Sequence, residues 1–143
     1  MGRVLLYFAA LVLVSQIASL PSATADQIFK DRDLKGQYGF SFDGTVGGMP
    51  VAAIGALQAD GDGNIAKGVR ILSIGGTTPV VLTHTFTCTY AVNPDGTGSA
   101  NCLVIETGGT ERFAFVLVNN GRELAFVGTD VGVVVRGHTV RQD

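Results

Sequence analysis

The sequence predicts an all-β protein, an eight-stranded antiparallel up-and-down barrel in which the strands follow one another as a meander. Strand-like runs alternate with short turn signals from residue 36 onward, and no helical segment of useful length interrupts them. The composition agrees, because the chain has 20 glycines, no tryptophan and only 15% charged residues. Eight strands with short connections can close into a barrel, which removes both sheet edges. A two-sheet sandwich, the alternative, needs longer connections.

The first 25 residues have the pattern of a signal peptide. Arg3 supplies a positive start, residues 4–14 are apolar and uncharged, and Ala23-Thr24-Ala25 fits the small-x-small cleavage site. This apolar run is too short for a transmembrane helix, which needs about 20 residues. We therefore expect a cleaved leader, a mature chain that starts at Asp26 without a stable membrane anchor, and a periplasmic or extracellular location. An uncleaved anchor is the alternative.

The mature chain divides into a polar N-terminal lead-in, residues 26–35, and a single barrel domain, residues 36–143. Alternation in the first strand places Tyr38, Phe40 and Phe42 on one face. The eight expected strands cover residues 37–46, 51–59, 65–74, 80–92, 97–107, 110–118, 122–129 and 133–141.

The fourth and fifth strands form a hairpin whose register can be derived from its turn. Asn93-Pro94-Asp95-Gly96 favours a type I turn followed by a left-handed glycine, so Asn93 lies opposite Thr97. Counting back along both strands places Cys88 opposite Cys102 at a non-hydrogen-bonded position, where the Cα atoms are about 4.5 Å apart. This spacing suits a disulfide, which would add about 3 kcal/mol and favours an oxidising compartment.

Strands six to eight carry apolar residues on both faces. Ala114, Val116 and Val118, for example, alternate with the phenylalanines of strand six. A lone barrel in water should be polar outside, so we expect a homo-oligomer in which another subunit covers strands six to eight. The alternative is that the lead-in, with its few apolar residues, covers this wall.

The barrel lumen is the expected binding site for a small apolar ligand. His84 shares a strand face with Phe86 and Tyr90 and is a polar group that could bind or protonate such a ligand. The alternatives are a histidine bonded to backbone near the rim and a lumen filled by its own side chains. The candidate lining consists of Tyr38, Phe40, Phe42, His84, Phe86, Tyr90, Phe113, Phe115 and Phe126.

Charged residues offer weaker candidates. Glu106 and Glu111 flank the Gly108-Gly109 turn and are interpreted as a solvated hairpin end rather than a catalytic pair. Arg112 and Arg136 lie within the apolar late strands, where each could bind an anionic ligand head or face outward into an interface.

Several classes of function lack support in the sequence. The basic residues are few and scattered, which argues against nucleic acid as a partner. The segment Asp60-Gly61-Asp62-Gly63-Asn64 resembles the start of a calcium loop, but Ile65 and Ile71 occupy the positions where an EF-hand needs Gly and Glu. We therefore expect a turn there, no metal and no cofactor. The chain has no G-x-S-x-G motif, so catalytic residues stay unassigned.

Four segments carry a resemblance to a known class of barrel. They are Leu34 to Phe40 (LKGQYGF), the DGDGN turn, the run YAVNPDGTG and the closing GTDVG. Together they resemble small exported bacterial proteins of unknown function that are similar to calycin-like barrels of the allene oxide cyclase type. Lipocalins, in the same group, begin with G-x-W packed under a late arginine, and the matching positions here are Gly36-Gln37-Tyr38 with Arg136 or Arg141.

The residues and the resemblance together lead to three expected functions. The first is binding of a small apolar molecule in the lumen of an exported, disulfide-bonded barrel. The second is a cyclase or isomerase, since allene oxide cyclases hold a flexible apolar substrate in one conformation, often as dimers or trimers. The third is a structural or assembly subunit with a packed lumen, whose working surface would be the outer wall of strands six to eight.

Overall fold

A computed structural model describes residues 28–143 and shows a closed eight-stranded antiparallel barrel with meander topology. Each strand pairs with the next one along the chain, and β8 pairs with β1 to close the sheet. The predicted fold class is therefore confirmed. The strands are β1 (Lys35–Val46), β2 (Met49–Asp60), β3 (Asn64–Ile74), β4 (Val80–Val92), β5 (Thr97–Val104), β6 (Thr110–Val118), β7 (Glu123–Gly128) and β8 (Val133–Gln142).

Several strand ends differ from the sequence-based boundaries by one to three residues, and two of these differences occur beside turns. The fifth strand ends at Val104 rather than at residue 107, because the backbone N–H of Gly108 donates to the Val104 carbonyl and folds the chain into a turn. The seventh strand begins at Glu123, after the short 3-10 turn Asn119–Gly121. The predicted signal peptide, residues 1–25, lies outside the described residues.

The hairpin between β4 and β5 has the predicted register. The N–H of Gly96 donates to the Asn93 carbonyl at 2.9 Å, and Asn93 in turn donates to the Thr97 carbonyl at 2.7 Å. Gly96 has a φ of +85°, the left-handed conformation that the turn requires. Cys88 and Cys102 are directly opposed and disulfide-bonded, with Cα atoms 4.0 Å apart. Such a bond is typical of an oxidising compartment.

The lead-in closes one end of the barrel. It contains a short 3-10 helix, Asp31–Asp33, followed by the buried Leu34. The Tyr90 hydroxyl donates to the Leu34 carbonyl at 2.7 Å and also accepts from the Gly61 N–H at 3.1 Å. Burial raises the pKa of Tyr90 above its usual value. Residues 28–34 thus form a floor under the lumen and do not cover the outer wall of β6 to β8.

A second buried tyrosine joins β1 to the 3-10 turn Asn119–Gly121. Tyr38 is fully buried, and its hydroxyl donates to the Gly121 carbonyl at 2.7 Å. Burial raises the pKa of this phenol as well. A Cβ added at Gly36 would lie 3.3 Å from Nε of Arg141, so Arg141 is the late arginine that lies beside the Gly36-Gln37-Tyr38 segment.

In four of the eight strand pairs, β1–β2, β3–β4, β5–β6 and β7–β8, a phenylalanine ring lies over the glycine directly opposite it. The ring covers the glycine so closely that an added Cβ would lie within 2.2–2.5 Å of a ring carbon. Glycine in mid-strand normally weakens a sheet, and an aromatic ring placed over it restores the lost packing. The pairs are Phe40 with Gly55, Phe86 with Gly68, Phe115 with Gly98, and Phe126 with Gly137.

Candidate functional site

The lumen contains a cavity of about 90 Å³, room for about three water molecules by volume. Seven aromatic side chains border it, together with aliphatic residues and the disulfide. Leu34 and Tyr90 lie at its closed end, and Arg70 and Glu111 lie toward the other. The lining residues are Leu34, Phe40, Phe42, Leu57, Ile65, Arg70, Phe86, Cys88, Tyr90, Ala100, Cys102, Glu111, Phe113, Phe115, Leu124, Phe126 and Thr139.

The aromatic side chains pack against one another mainly edge to face. Phe126 makes such contacts with Phe42 and Phe113, at centroid distances of 6.3 and 5.7 Å, and Phe40 meets Phe86 at 5.9 Å. These distances are typical of favourable aromatic pairs, each worth about 0.5–1.5 kcal/mol beyond area burial. The cavity is therefore walled by rings that hold one another in place.

An ion pair crosses the lumen above this aromatic layer. The Arg70 guanidinium, from β3, donates through Nη1 to Oε2 of Glu111 at 2.6 Å and through Nη2 to Oε1 at 2.7 Å. Glu111 belongs to β6, and β4 and β5 separate the two strands in the sheet. The Arg70 side chain is 7% exposed and that of Glu111 is 34% exposed. The carboxylate is thus the partner that reaches solvent.

Two further groups surround the guanidinium. His84 lies opposite Arg70 on β4, with its Nδ1 3.2 Å from Nη2 of the arginine, a contact that requires the ring proton to be on Nε2. The Phe42 ring centroid lies 6.0 Å from Cζ of Arg70, at the limit of a cation–π contact. Nε of Arg70 is buried and has no hydrogen-bond partner among residues 28–143.

Seven of the nine predicted lining residues border the cavity, and two do not. Tyr38 is buried with its hydroxyl bonded to the Gly121 carbonyl, and His84 contacts Arg70 without reaching the cavity surface. The seven that border it are Phe40, Phe42, Phe86, Tyr90, Phe113, Phe115 and Phe126.

The charged residues are distributed differently from the sequence interpretation. Glu111 turns into the lumen instead of forming a solvated hairpin end, whereas Glu106 remains outside and accepts hydrogen bonds from Thr85. The hydroxyl of Thr85, followed by its backbone N–H, lowers the pKa of Glu106. Arg112 points outward and pairs with Asp130 at 2.7 Å, so it does not reach the lumen.

Arg70 was missed because a β-bulge changes the side-chain alternation within β3. The pairing of β3 with β4 shifts between Ile65 and Gly68, so two buried residues are separated by three positions instead of two. Counting by twos from Ile65 would place Arg70 on the outside. The glycine at 68, inside an apolar run, is the signal from which a bulge could have been inferred.

The outer wall of β6 to β8 exposes five valines, two of which, Val116 and Val118, were expected there from the sequence. It contains a shallow groove in which Ala114, Ala125 and Gly137 provide the floor, and Arg136 and His138 lie at its border. Arg136 is 82% exposed and only 4.0 Å from Asp43, a weak surface pair. The exposed valines of this wall are Val116, Val118, Val127, Val134 and Val140.

The turn that resembles a calcium loop is explained by its own hydrogen bonds. Asp60 accepts from the N–H groups of Asn64 and Asp62 and from the Asn64 amide, and these bonds lower the pKa of Asp60. Nowhere in residues 28–143 do three His, Cys, Asp or Glu side chains come together in a group that could hold a metal ion. Across the same residues, no helix has the length and hydrophobicity needed to cross a membrane.

The architecture, eight antiparallel strands closed in sequence order, is consistent with a calycin-like barrel. Comparison of the chain with protein-family models, with curated proteins and with solved structures found no match. The functional interpretation therefore depends on the cavity and on the groups that border it.

Proposed function

We propose that this protein binds a small apolar molecule in the lumen of its barrel. The observation that carries the proposal is an apolar cavity of about 90 Å³, walled by seven aromatic side chains and floored by the N-terminal segment. A cavity lined mainly by aliphatic and aromatic groups favours an apolar guest over water, because water there would find few hydrogen-bond partners.

The volume limits the size of the ligand. Pockets for drug-sized molecules measure about 300–1,000 Å³, and an engineered 150 Å³ cavity holds benzene or xenon. The cavity here, about 90 Å³, suits a molecule of a few heavy atoms. A longer ligand requires a side chain at the solvent end to move, and Glu111 is the cavity residue positioned to do so.

Small apolar probes test this proposal. We expect xenon and benzene to shift the backbone amide resonances of the cavity strands, with saturation. Ala100→Leu adds volume inside the cavity and should abolish those shifts. Ala91→Leu makes the same change at an exposed position of β4 and should leave them unchanged. Absence of saturable shifts in the unmodified protein would mean that the lumen is only a packed core.

A cyclase or isomerase of the allene oxide cyclase type is the second candidate. It is supported by the resemblance of the sequence and by the presence of ionisable groups, Arg70 and Glu111, beside an apolar cavity. Such an enzyme would act mainly by holding its substrate in one conformation and excluding water. Binding is the simpler proposal, since both charges are engaged with each other.

An assembly role is the third candidate, and it rests on the apolar outer wall. We propose that a second copy of the chain covers β6 to β8. Val134 is 74% exposed, and Val134→Lys should shift the sedimentation coefficient toward that of the monomer. Val81→Lys, at a residue 66% exposed on β4, is the matched control and should leave assembly unchanged. A monomeric unmodified protein would end this candidate.

Export is part of the proposal. The disulfide and the signal-peptide pattern support a periplasmic or extracellular protein with Asp26 as its first residue. The intact mass of the protein purified from its exported fraction tests the cleavage. The same spectrum should show the loss of two hydrogens expected for the bond between Cys88 and Cys102.

A further inference from the structure

We infer that Arg70 recognises a carboxylate, so that the ligand of the lumen is a small amphipathic acid whose apolar body enters the aromatic cavity. In the bound state, the ligand carboxylate takes the place that Glu111 holds beside the guanidinium. This inference rests on the proposed function and specifies the chemical class of the ligand.

The guanidinium of Arg70 has a fixed position in the lumen. The Arg70 side chain is 7% exposed and lies between β3, His84 and the Phe42 ring. A guanidinium stays charged at every pH at which the protein is folded, and its planar fork matches a carboxylate. A buried charge of this kind requires an anion beside it at all times. The lumen is therefore built around an anion-binding group.

The carboxylate of Glu111, which now pairs with Arg70, can move away from the guanidinium. Glu111 is the second residue of β6, next to the Gly108-Gly109 turn, and its side chain is 34% exposed. Its carboxylate can rotate into water at little cost, because it would be hydrated there. Arg70 has no such route. Exchange of Glu111 for a ligand carboxylate keeps the guanidinium paired throughout and opens the solvent end of the cavity.

One hydrogen-bond donor of Arg70, Nε, is not used by Glu111. Nη1 and Nη2 both donate to Glu111, while the buried Nε has no acceptor among the described residues. Buried donors are almost always satisfied in proteins, and an exception points to a missing partner. A ligand carboxylate, which is not tethered to β6, can approach the edge of the fork that includes Nε. The ligand carboxylate would then accept a hydrogen bond from Nε, which Glu111 leaves without an acceptor.

Two probes with six carbon atoms each, hexanoate and 1-hexanol, separate recognition of the carboxylate from binding of the alkyl chain. Each is titrated into the protein at pH 7 and constant ionic strength, and backbone amide shifts give the affinity. We expect the unmodified protein to bind both and to prefer hexanoate. Glu111→Gln removes the competing carboxylate and should tighten hexanoate binding by about tenfold, the factor that corresponds to one charged hydrogen bond.

The variants of Arg70 provide the decisive measurement, the ratio of the two affinities. Arg70→Met should lower the preference for hexanoate by at least about tenfold. Should that variant fail to fold, Arg70→Lys keeps the charge, loses the planar fork and should lower the ratio in the same direction. Arg112→Met removes an exposed arginine from the outer surface and should leave the ratio unchanged.

The possible results separate the two proposals. Two results would overturn the inference and still support the apolar binding site. One is binding of 1-hexanol but not of hexanoate, and the other is a ratio of the two affinities that the Arg70 substitutions leave unchanged. Binding of neither probe would overturn the inference and remove the amphipathic class of ligand, while the xenon and benzene titrations judge the cavity itself.

Discussion

The ion pair across the lumen leads to an asymmetric prediction about stability. Glu111→Gln should destabilise the protein far more than Arg70→Met, although the two changes break the same pair. The first leaves a permanent positive charge buried without a counter-ion, whereas the second leaves a carboxylate that can turn into water.

The exposures of the two side chains set the magnitudes. Removing one member of a fully buried pair costs about 3–5 kcal/mol. Glu111 is 34% exposed, so water can approach the guanidinium from that side, and we expect about 3 kcal/mol for Glu111→Gln. For Arg70→Met we expect about 1 kcal/mol, since Met keeps most of the apolar packing of the arginine stem. In the Arg70→Met background, Glu111→Gln should cost almost nothing, because no unpaired cation remains.

Urea unfolding followed by circular dichroism measures these differences through the midpoint, provided that the slope m is unchanged. For a chain of this size, about 3 kcal/mol corresponds to a lowering of Tm by about 10 °C. Glu123→Gln is the matched control, because Glu123 is 33% exposed and pairs with His138 on the outer surface. It should cost less than about 1 kcal/mol. Equal losses for Glu111→Gln and Arg70→Met would refute the reasoning from a buried, permanent charge.

Three further predictions concern the disulfide, the glycines and acid stability. Replacing Cys88 and Cys102 by serine should cost about 3 kcal/mol, and a reducing agent should lower the urea midpoint of the native protein but not of this variant. Gly68→Ala should destabilise by at least about 1–3 kcal/mol, because its Cβ would lie 2.2 Å from the Phe86 ring, whereas Gly76→Ala, at an open position, should be neutral in the same assay. Hydrogen bonds lower the pKa of four surface carboxyls in the folded state. Their contribution to stability is therefore present above the unfolded pKa values of 3.8 and 4.5 and is lost as the pH falls through the folded values. These carboxyls are Asp60, Asp95, Glu106 and Asp130. A Tm that stayed constant from pH 5 to about pH 2 would contradict this last prediction.

The fold could be predicted from the sequence because its determinants are local. The Asn93 to Gly96 turn sets a hairpin register by itself, and that register brings the cysteines together. Short polar turns between strands leave the meander as the simplest topology, and eight strands are enough to close it. The aromatic residues follow the same strict alternation, which is why seven of the nine border the cavity.

The charged part of the site could not be predicted in this way. The bulge between Ile65 and Gly68 reverses the alternation of β3, and only the three-dimensional pairing reveals that Arg70 faces inward. The partner of Arg70, Glu111, lies on a strand that is not its neighbour in the sheet, so no cross-strand rule links the two residues. The position of Tyr38 depends on its hydrogen bond to Gly121, an acceptor that is far away in the sequence.

The four glycines that lie beneath phenylalanine rings make the barrel a modular host. At each of these places the inner wall is a glycine with no side chain, and the phenylalanine ring above it sets the shape of the interior. Truncating one ring, for example with Phe126→Ala, would uncover the main chain at Gly137 and leave a flat slot of phenyl dimensions. A free aromatic molecule could then occupy the slot and restore the missing contacts. The interior volume of this scaffold can in this way be altered in four separate steps, one ring at a time, while the strands keep their register.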